Sequence, residues 1–266
     1  MRCPVRPWHN RKVQTEEQRS ISSVVKSLAQ KWYPYVTRTA GDDLLFINAG
    51  YEETPPMSLP LEPEDEPDRY FIQLYHQTAT QVDLTGKRLL EISCGHGGGA
   101  SYIVRTLGTA SVTGLDLNPV GIEFCRRKHQ LPGLDFIHGD AVDLPFADNT
   151  FDAVLNIQAS FAYPSLARFM SEVHRVLRPG GHLLYTDRRK SRQVPEWETA
   201  LIAGPLRRVS DRIISEEVAT GLERNMPRMT ELTRYPAFIA RRQYANTARQ
   251  LRRGDICYRM STYVRD

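Results

Sequence analysis

The chain has 266 residues, 41% hydrophobic and 25% charged, with 35 Lys and Arg against 31 Asp and Glu. That length supplies a full core and fits one large domain, or one domain with an insertion; the composition excludes a disordered chain. A net charge of +4 is too small to argue for nucleic acid, and no apolar run approaches the ~18 residues of a membrane span, so stable membrane insertion is not expected.

Residues 1–20 are polar and basic and read as a flexible N-terminus without a secretory signal. Ile21, Val24, Val25, Leu28 and Trp32 fall at helical spacing and predict a helix within 21–40. Five prolines in the 13 residues from Pro55 to Pro67 forbid regular helix or central strand, so 52–67 reads as an acidic surface loop. A second helix is predicted from about Pro67 to Gln81.

From residue 87, strands and helices alternate. Strands are predicted at Lys87–Ser93, Ser111–Leu117, Leu134–His138, Phe151–Gln158 and His182–Asp187. Helices are predicted at Ala100–Leu107, Pro119–His129 and Ser165–Leu177, the last stopped by Pro179-Gly180-Gly181. This rhythm implies an α/β, doubly wound, parallel sheet. Residues 190–235 break it and read as helical. Two late strands, Phe238–Tyr244 and Asp255–Val264, are expected to complete the sheet.

The central motif, Glu91-Ile-Ser-Cys-Gly95-His-Gly97-Gly-Gly-Ala100, lies between a strand and a helix. Glycines there let the backbone turn tightly and approach a ligand at the helix N-terminus. Gly95-x-Gly97-x-x-Ala100 satisfies a permissive dinucleotide fingerprint, with Asp116 21 residues after Gly95 at the ribose position. Glu91 separates the ligand choices. A carboxylate there repels a pyrophosphate and suits a cation, so charge complementarity favours S-adenosylmethionine (SAM) over NAD.

The ordered set resembles the class I SAM-dependent methyltransferases. It comprises Glu91–Gly97, Asp116 ending the second strand, Gly139-Asp140-Ala141, Asp143–Phe146, Phe151-Asp152 and Leu177–Gly181. Phe46–Glu53, Leu74–Gln81 and Ser93–Ser101 narrow the likeness to the phthiotriolone/phenolphthiotriolone dimycocerosate O-methyltransferases and related fatty-acid and small-molecule O-methyltransferases. The resemblance implies a Rossmann-like, seven-stranded sheet with strands 1–5 parallel and the last antiparallel. It divides the chain into a flexible 1–20, an N-terminal helical cover at 21–86, a SAM-binding core at 87–189, a helical substrate cap at 190–235 and C-terminal strands at 236–266.

It also implies site roles. Glu91 faces the methionine ammonium. Backbone at Ser93, Gly95 and Gly97 lines the methionine and ribose. Asp116 accepts the ribose hydroxyls, with Leu117 beside it, and Asp140 and Ala141 meet the adenine. Asn156 lies where sulfonium and substrate meet, and Tyr51 closes over the cofactor through cation–π attraction. The activity implied is methyl transfer from SAM, leaving S-adenosylhomocysteine, to a hydroxyl of a hydrophobic polyketide, lipid or other secondary metabolite. C- or carboxyl-methylation, NAD-dependent oxidoreduction and SAM binding without catalysis are the alternatives.

An alcohol nucleophile needs a proton acceptor. The family pattern after the fourth strand is N-x-E-A-S-H, whereas this chain has Asn156-Ile-Gln158-Ala-Ser160-Phe161. Gln158 and Phe161 cannot act as bases. His76 is the first replacement candidate and Tyr163 the second; otherwise the nucleophile needs no base, or proximity alone suffices. Phe161 makes its wall apolar and, with Trp197 in the cap, points to a lipophilic acceptor. The arginines of 241–253 read as a solvated face, so no nucleic-acid partner is expected. No metal-ligand spacing is present, and Cys3, Cys94, Cys125 and Cys257 form no CxxC pair. A cytoplasmic protein is expected, with a homodimer left open.

Overall fold

The structure, a computed structural model, describes residues 41–233 and 237–266. The helix expected within 21–40 and the 1–20 segment lie outside the described residues. Strands β1 (Arg88–Ile92), β2 (Ser111–Asp116), β3 (Leu134–His138), β4 (Phe151–Ile157), β5 (Leu177–Lys190), β6 (Arg207–Ile213) and β7 (Ile256–Val264) form one sheet in the order β3-β2-β1-β4-β5-β7-β6. β1 to β5 pair in parallel, and β7 is antiparallel to both β5 and β6. The described helices are α1 (Arg69–Ala79), α2 (Gly98–Thr106), α3 (Pro119–Lys128), α4 (Leu166–Val176), α5 (Val194–Ile202), α6 (Ser215–Arg224), α7 (Met226–Thr233) and α8 (Ala237–Arg252). None of them is long and apolar enough to cross a membrane. The expected Rossmann-like, doubly wound sheet is the fold observed.

The central parallel strands β1 and β4 are covered on both faces, which is why they read as short continuous apolar runs. Leu89, Leu155, Leu184 and Tyr258 belong to one core layer, with residues of α1, α2, α3 and α6. Leu90, Val154, Leu183 and Tyr185 belong to the other, with α4 and α5. Along α4, Phe169, Met170, Val173 and Val176 are fully buried, and Ser165 caps the helix by accepting from the Arg168 N–H at 3.2 Å.

β1 has β2 on one side and β4 on the other. Connections leaving β1 and β4 therefore diverge, and a crevice opens at their C-terminal ends. That crevice holds the glycine loop.

Three expectations are corrected. Residues 190–235 are not wholly helical, since β6 lies within them at the sheet edge. Its first six residues are all exposed, so it shows no apolar alternation to read. Phe238–Tyr244 is the start of helix α8, not a strand. Over the longer window Ala248 and Leu251 are buried and Tyr244 packs partly against the core, a helical spacing. Finally, Pro179-Gly180-Gly181 does not stand between α4 and β5. It forms an irregularity inside β5, where pairing to β4 jumps from Leu177 to His182.

Candidate active site

Ser93, Gly95 and Gly97 all have left-handed backbones, with φ of +62°, +58° and +78°. The turn carries the chain from β1 into α2. Asp116, at the end of β2, fixes it: Oδ2 accepts from the Gly95 N–H and Oδ1 from the Asn118 N–H, both at 2.9 Å. Burial raises the Asp116 carboxyl above the ordinary carboxylate range, against the lowering pull of these amides. Each oxygen keeps a second lone pair for a ligand.

Glu91 is 1% exposed. Its Oε1 accepts from the Tyr75 hydroxyl at 2.8 Å, and its Oε2 is buried without a geometrically sound hydrogen bond. Burial pushes its carboxyl up to about 8, although Tyr75 and the Ala100 amide pull it down. Tyr75 reaches Glu91 only because residue 99 is glycine: a Cβ there would lie 1.9 Å from the Tyr75 ring. An orphaned carboxylate oxygen is an acceptor waiting for a cationic donor.

The raised Glu91 value has a consequence for stability. The folded protein holds a proton that the unfolded chain has released between roughly pH 4.5 and 8, so stability falls as pH rises through that window. Urea unfolding of the ligand-free chain at pH 5 and pH 8 is expected to show wild type losing on the order of 3 kcal/mol relative to Glu91→Gln. A parallel response of the two proteins would contradict it.

Around the loop lies a cavity of about 490 Å³. The strand order fixes how its lining is distributed. Asp140 and Ala141 follow β3, Asp116 ends β2 with Leu117 after it, Ser93 and Gly95 follow β1, and Gln158, Ala159 and Phe161 to Pro164 follow β4. At about 4.8 Å per strand this spans roughly 14 Å. Acid therefore gathers on the β2–β3 side, and Ile157, Ala159, Phe161, Ala162 and Pro164 make the β4 side apolar. Phe161 is 39% exposed within this wall.

The structure separates the expected site residues into those that line the cavity and those that do not. Ser93, Gly95, Asp116, Leu117, Asp140, Ala141, Gln158, Phe161 and Tyr163 line the cavity. Glu91 and Gly97 are not in the lining; Tyr75, which is, donates to Glu91. Asn156 is buried behind the wall, where its Nδ2 donates to Tyr163 Oη at 2.7 Å and to the Ile92 carbonyl at 3.0 Å.

Tyr51 does not enter the cavity. Its hydroxyl donates to Glu53 at 2.8 Å, and its ring lies under the Arg212 guanidinium, 5.9 Å away. Ile47 and Asn48, a few residues earlier, take the lining position instead. Trp197 packs on the opposite sheet face, with Nε1 donating to Tyr185 at 3.0 Å.

The three base or catalytic candidates also change. His76 is absent from the lining: one helical step after Tyr75, it turns away and meets the Tyr102 hydroxyl at 2.8 Å. Gln158 Oε1 is occupied by the Ala49 N–H (2.9 Å) and the Tyr258 hydroxyl (2.7 Å), which makes it a strut. Burial holds the Tyr163 phenol far above its ordinary range, and its oxygen is tied to Ser93 (2.7 Å) and Asn156. His76→Ala is expected to leave the pH–rate profile unchanged and cost about 1 kcal/mol of stability. A lost or shifted limb in that profile would restore His76 to the chemistry.

Sequence reasoning missed Tyr75, although it chose His76 next to it. The signal was indirect, in the unbroken glycines opposite α1. It also missed the buried network that carries Phe161. There Asp187, fully buried, accepts from Ser160 Oγ at 2.6 Å and from the Phe161 N–H at 3.1 Å, and pairs with Arg189 at 3.3 Å.

Comparison with known proteins fits this geometry. A family described as a methyltransferase domain matches residues 90–185. The phthiotriol/phenolphthiotriol dimycocerosates methyltransferase of Mycobacterium tuberculosis is 51% identical, over 92% of this chain and 94% of that protein. The fatty-acid O-methyltransferase of Mycolicibacterium smegmatis is 50% identical over 91% of each chain. Among solved structures, the geranyl diphosphate C-methyltransferase of Streptomyces coelicolor A3(2), in complex with Mg2+, geranyl diphosphate and S-adenosyl-L-homocysteine, shares the fold. Its TM-score is 0.70 at 15% identity, covering 91% of this chain and 98% of that one.

Proposed function

Since the chain belongs to the family of the phthiotriol/phenolphthiotriol dimycocerosates methyltransferases and is a SAM-dependent methyltransferase, we propose that it methylates an oxygen of a lipid-like acceptor. The observation that carries this reading is the two-sided cavity: acids on the β2–β3 side, an apolar wall at Phe161 on the β4 side. The names of the similar proteins, phthiotriol and fatty-acid methyltransferases, support the lipid class.

When bound, SAM supplies an electrophilic methyl group on a sulfonium. The residues fit it. Asp116 retains lone pairs for two ribose hydroxyls. Asp140 and Ala141 suit an adenine edge. The orphaned Glu91 Oε2 suits an ammonium, directly or through water. Because that ammonium favours the ionised carboxylate, SAM affinity should rise with pH up to about 8. Phe161 and Ile157 exclude water from the acceptor side, and the Asp187–Ser160 network holds Phe161 in place.

A hydroxyl acceptor would have to surrender a proton. No carboxylate or histidine follows β4 into the cavity. His96 and His138 line it from the β1–β3 side, each with a ring nitrogen bonded to a backbone carbonyl. Product mass spectrometry with SAM and a panel of long-chain alcohols, fatty acids and phenols tests the proposal. A methyl-sized mass gain on an oxygen is expected. A chain that binds SAM and modifies none of them, or only carbon, would contradict it.

A further inference from the structure

Gln158 directly follows β4, with its backbone in the left-handed region at φ +51°. A residue other than glycine stays there only where its surroundings over-determine it. Three hydrogen bonds do so. Its backbone N–H donates to the Thr186 carbonyl at 2.7 Å, and its Oε1 accepts from the Ala49 N–H and the Tyr258 hydroxyl. A peptide N–H can only donate, so Oε1 must face Ala49 and the side-chain amide cannot be flipped. Neither Ala49 nor Tyr258 lines the cavity, whereas Gln158 does. The carbonyl edge of the amide is thus anchored outside the lining, which leaves the Nε2 edge to the cavity. Among the described residues Nε2 has no hydrogen-bond partner, and it is not sealed from solvent.

Neighbouring polar groups on that side are spent. Tyr163 is tied to Ser93 and Asn156, and the Asn48 amide is used by the Phe71 carbonyl and the Gly50 N–H. Among the described residues the lining contains no lysine or arginine. The apolar wall therefore carries an oriented, neutral donor.

We propose that Gln158 seats the methyl acceptor, its Nε2 amide donating to a lone pair of the oxygen to be methylated. The assignment rests on the oxygen-methylation reading above and deepens it. A hydroxyl oxygen has two lone pairs, and engaging one aims the other. The amide neither takes nor gives up a proton, so Gln158 sets the direction of the acceptor oxygen without acting as a base. A carbon nucleophile offers no such lone pair, so the same donor favours oxygen over carbon.

The test uses 2-decanone, whose oxygen can only accept, and 1-decanol, whose hydroxyl can also donate. Gln158→Glu keeps a carboxylate oxygen for Ala49 and Tyr258 and removes the N–H donor. Calorimetry of the S-adenosylhomocysteine-loaded chain is expected to show Gln158→Glu binding 2-decanone about tenfold or more weaker than wild type. Its affinity for 1-decanol should stay within about threefold, because the O–H can turn and donate to the new carboxylate. Its Tm should stay within about 3 °C, since both anchors remain. Tyr258→Phe is the second variant. It removes one anchor, loosens the amide and is expected to weaken 2-decanone by about threefold with Gln158 intact. Equal loss of both ligands in Gln158→Glu, no loss of either, or a wild type that binds no 2-decanone would overturn the assignment while leaving oxygen methylation standing. Should Gln158→Glu not fold, an unchanged 2-decanone affinity in Tyr258→Phe would do the same. A product methylated on carbon would overturn the oxygen-methylation reading as well.

Discussion

Asp116→Ala is expected to raise the dissociation constant for SAM at least about 100-fold. The carboxylate has two jobs. It closes the glycine loop by accepting from the Gly95 and Asn118 amides, and it faces the cavity with lone pairs to spare. Two charge-assisted hydrogen bonds to ribose, at about 1.5–3 kcal/mol each, already amount to two or more powers of ten. Loss of the loop anchor adds to that, since the Gly95 amide is then left without its acceptor. Asp116→Asn is the finer probe: it keeps the shape but turns one acceptor into a donor. Calorimetric titration of either variant checks the claim. A Kd within threefold of wild type in Asp116→Ala would show that the ribose is held elsewhere.

The second large effect is on folding. Gly99→Ala places a methyl group 1.9 Å from Tyr75 Cε1 and 2.2 Å from its Cζ. Tyr75 is buried between α1 and α2 and cannot yield without abandoning Glu91. Overpacking costs about 1–3 kcal/mol, and stripping a buried acceptor of its donor costs a similar amount. Together, at about 2–6 kcal/mol, these take a large share of the about 5–15 kcal/mol stability of an ordinary domain. Thermal unfolding is expected to show a Tm lower by about 10 °C or more, or no soluble protein. The two sites must be strongly coupled. In a Tyr75→Ala background the added methyl has room, so Gly99→Ala should cost far less there. Equal costs in both backgrounds would contradict the packing described.

The parts of this molecule that were legible in the sequence share a physical property. β1 and β4 are covered on both faces and β3 alternates buried with exposed residues, so their patterns stand out, and the turns between them are marked by Gly and Pro. The same runs placed Glu91, Asp116 and Asp140 at strand ends, because a parallel strand must stop where its side chains turn from core to crevice. β6 was not legible because it is an edge strand, exposed over its first six residues and rich in arginine. α8 was misread because its first apolar residues, Phe238 and Ile239, mimic a strand over a short window. His76, Tyr51 and Trp197 lie outside the cavity lining for one shared reason. Each sits in or near a recognisable segment, but a segment does not say which way a side chain points. Neighbouring helical residues diverge by about 100°, so Tyr75 faces Glu91 and the cavity while His76 faces Tyr102.

The crevice between β1 and β4, with acid at Glu91, Asp116 and Asp140, is built for a cationic cofactor rather than a pyrophosphate. Titrating the full chain with SAM and, separately, with NAD by calorimetry tests it most directly. One SAM per chain, with no measurable heat from NAD, is the predicted result. Binding of NAD without SAM would contradict it.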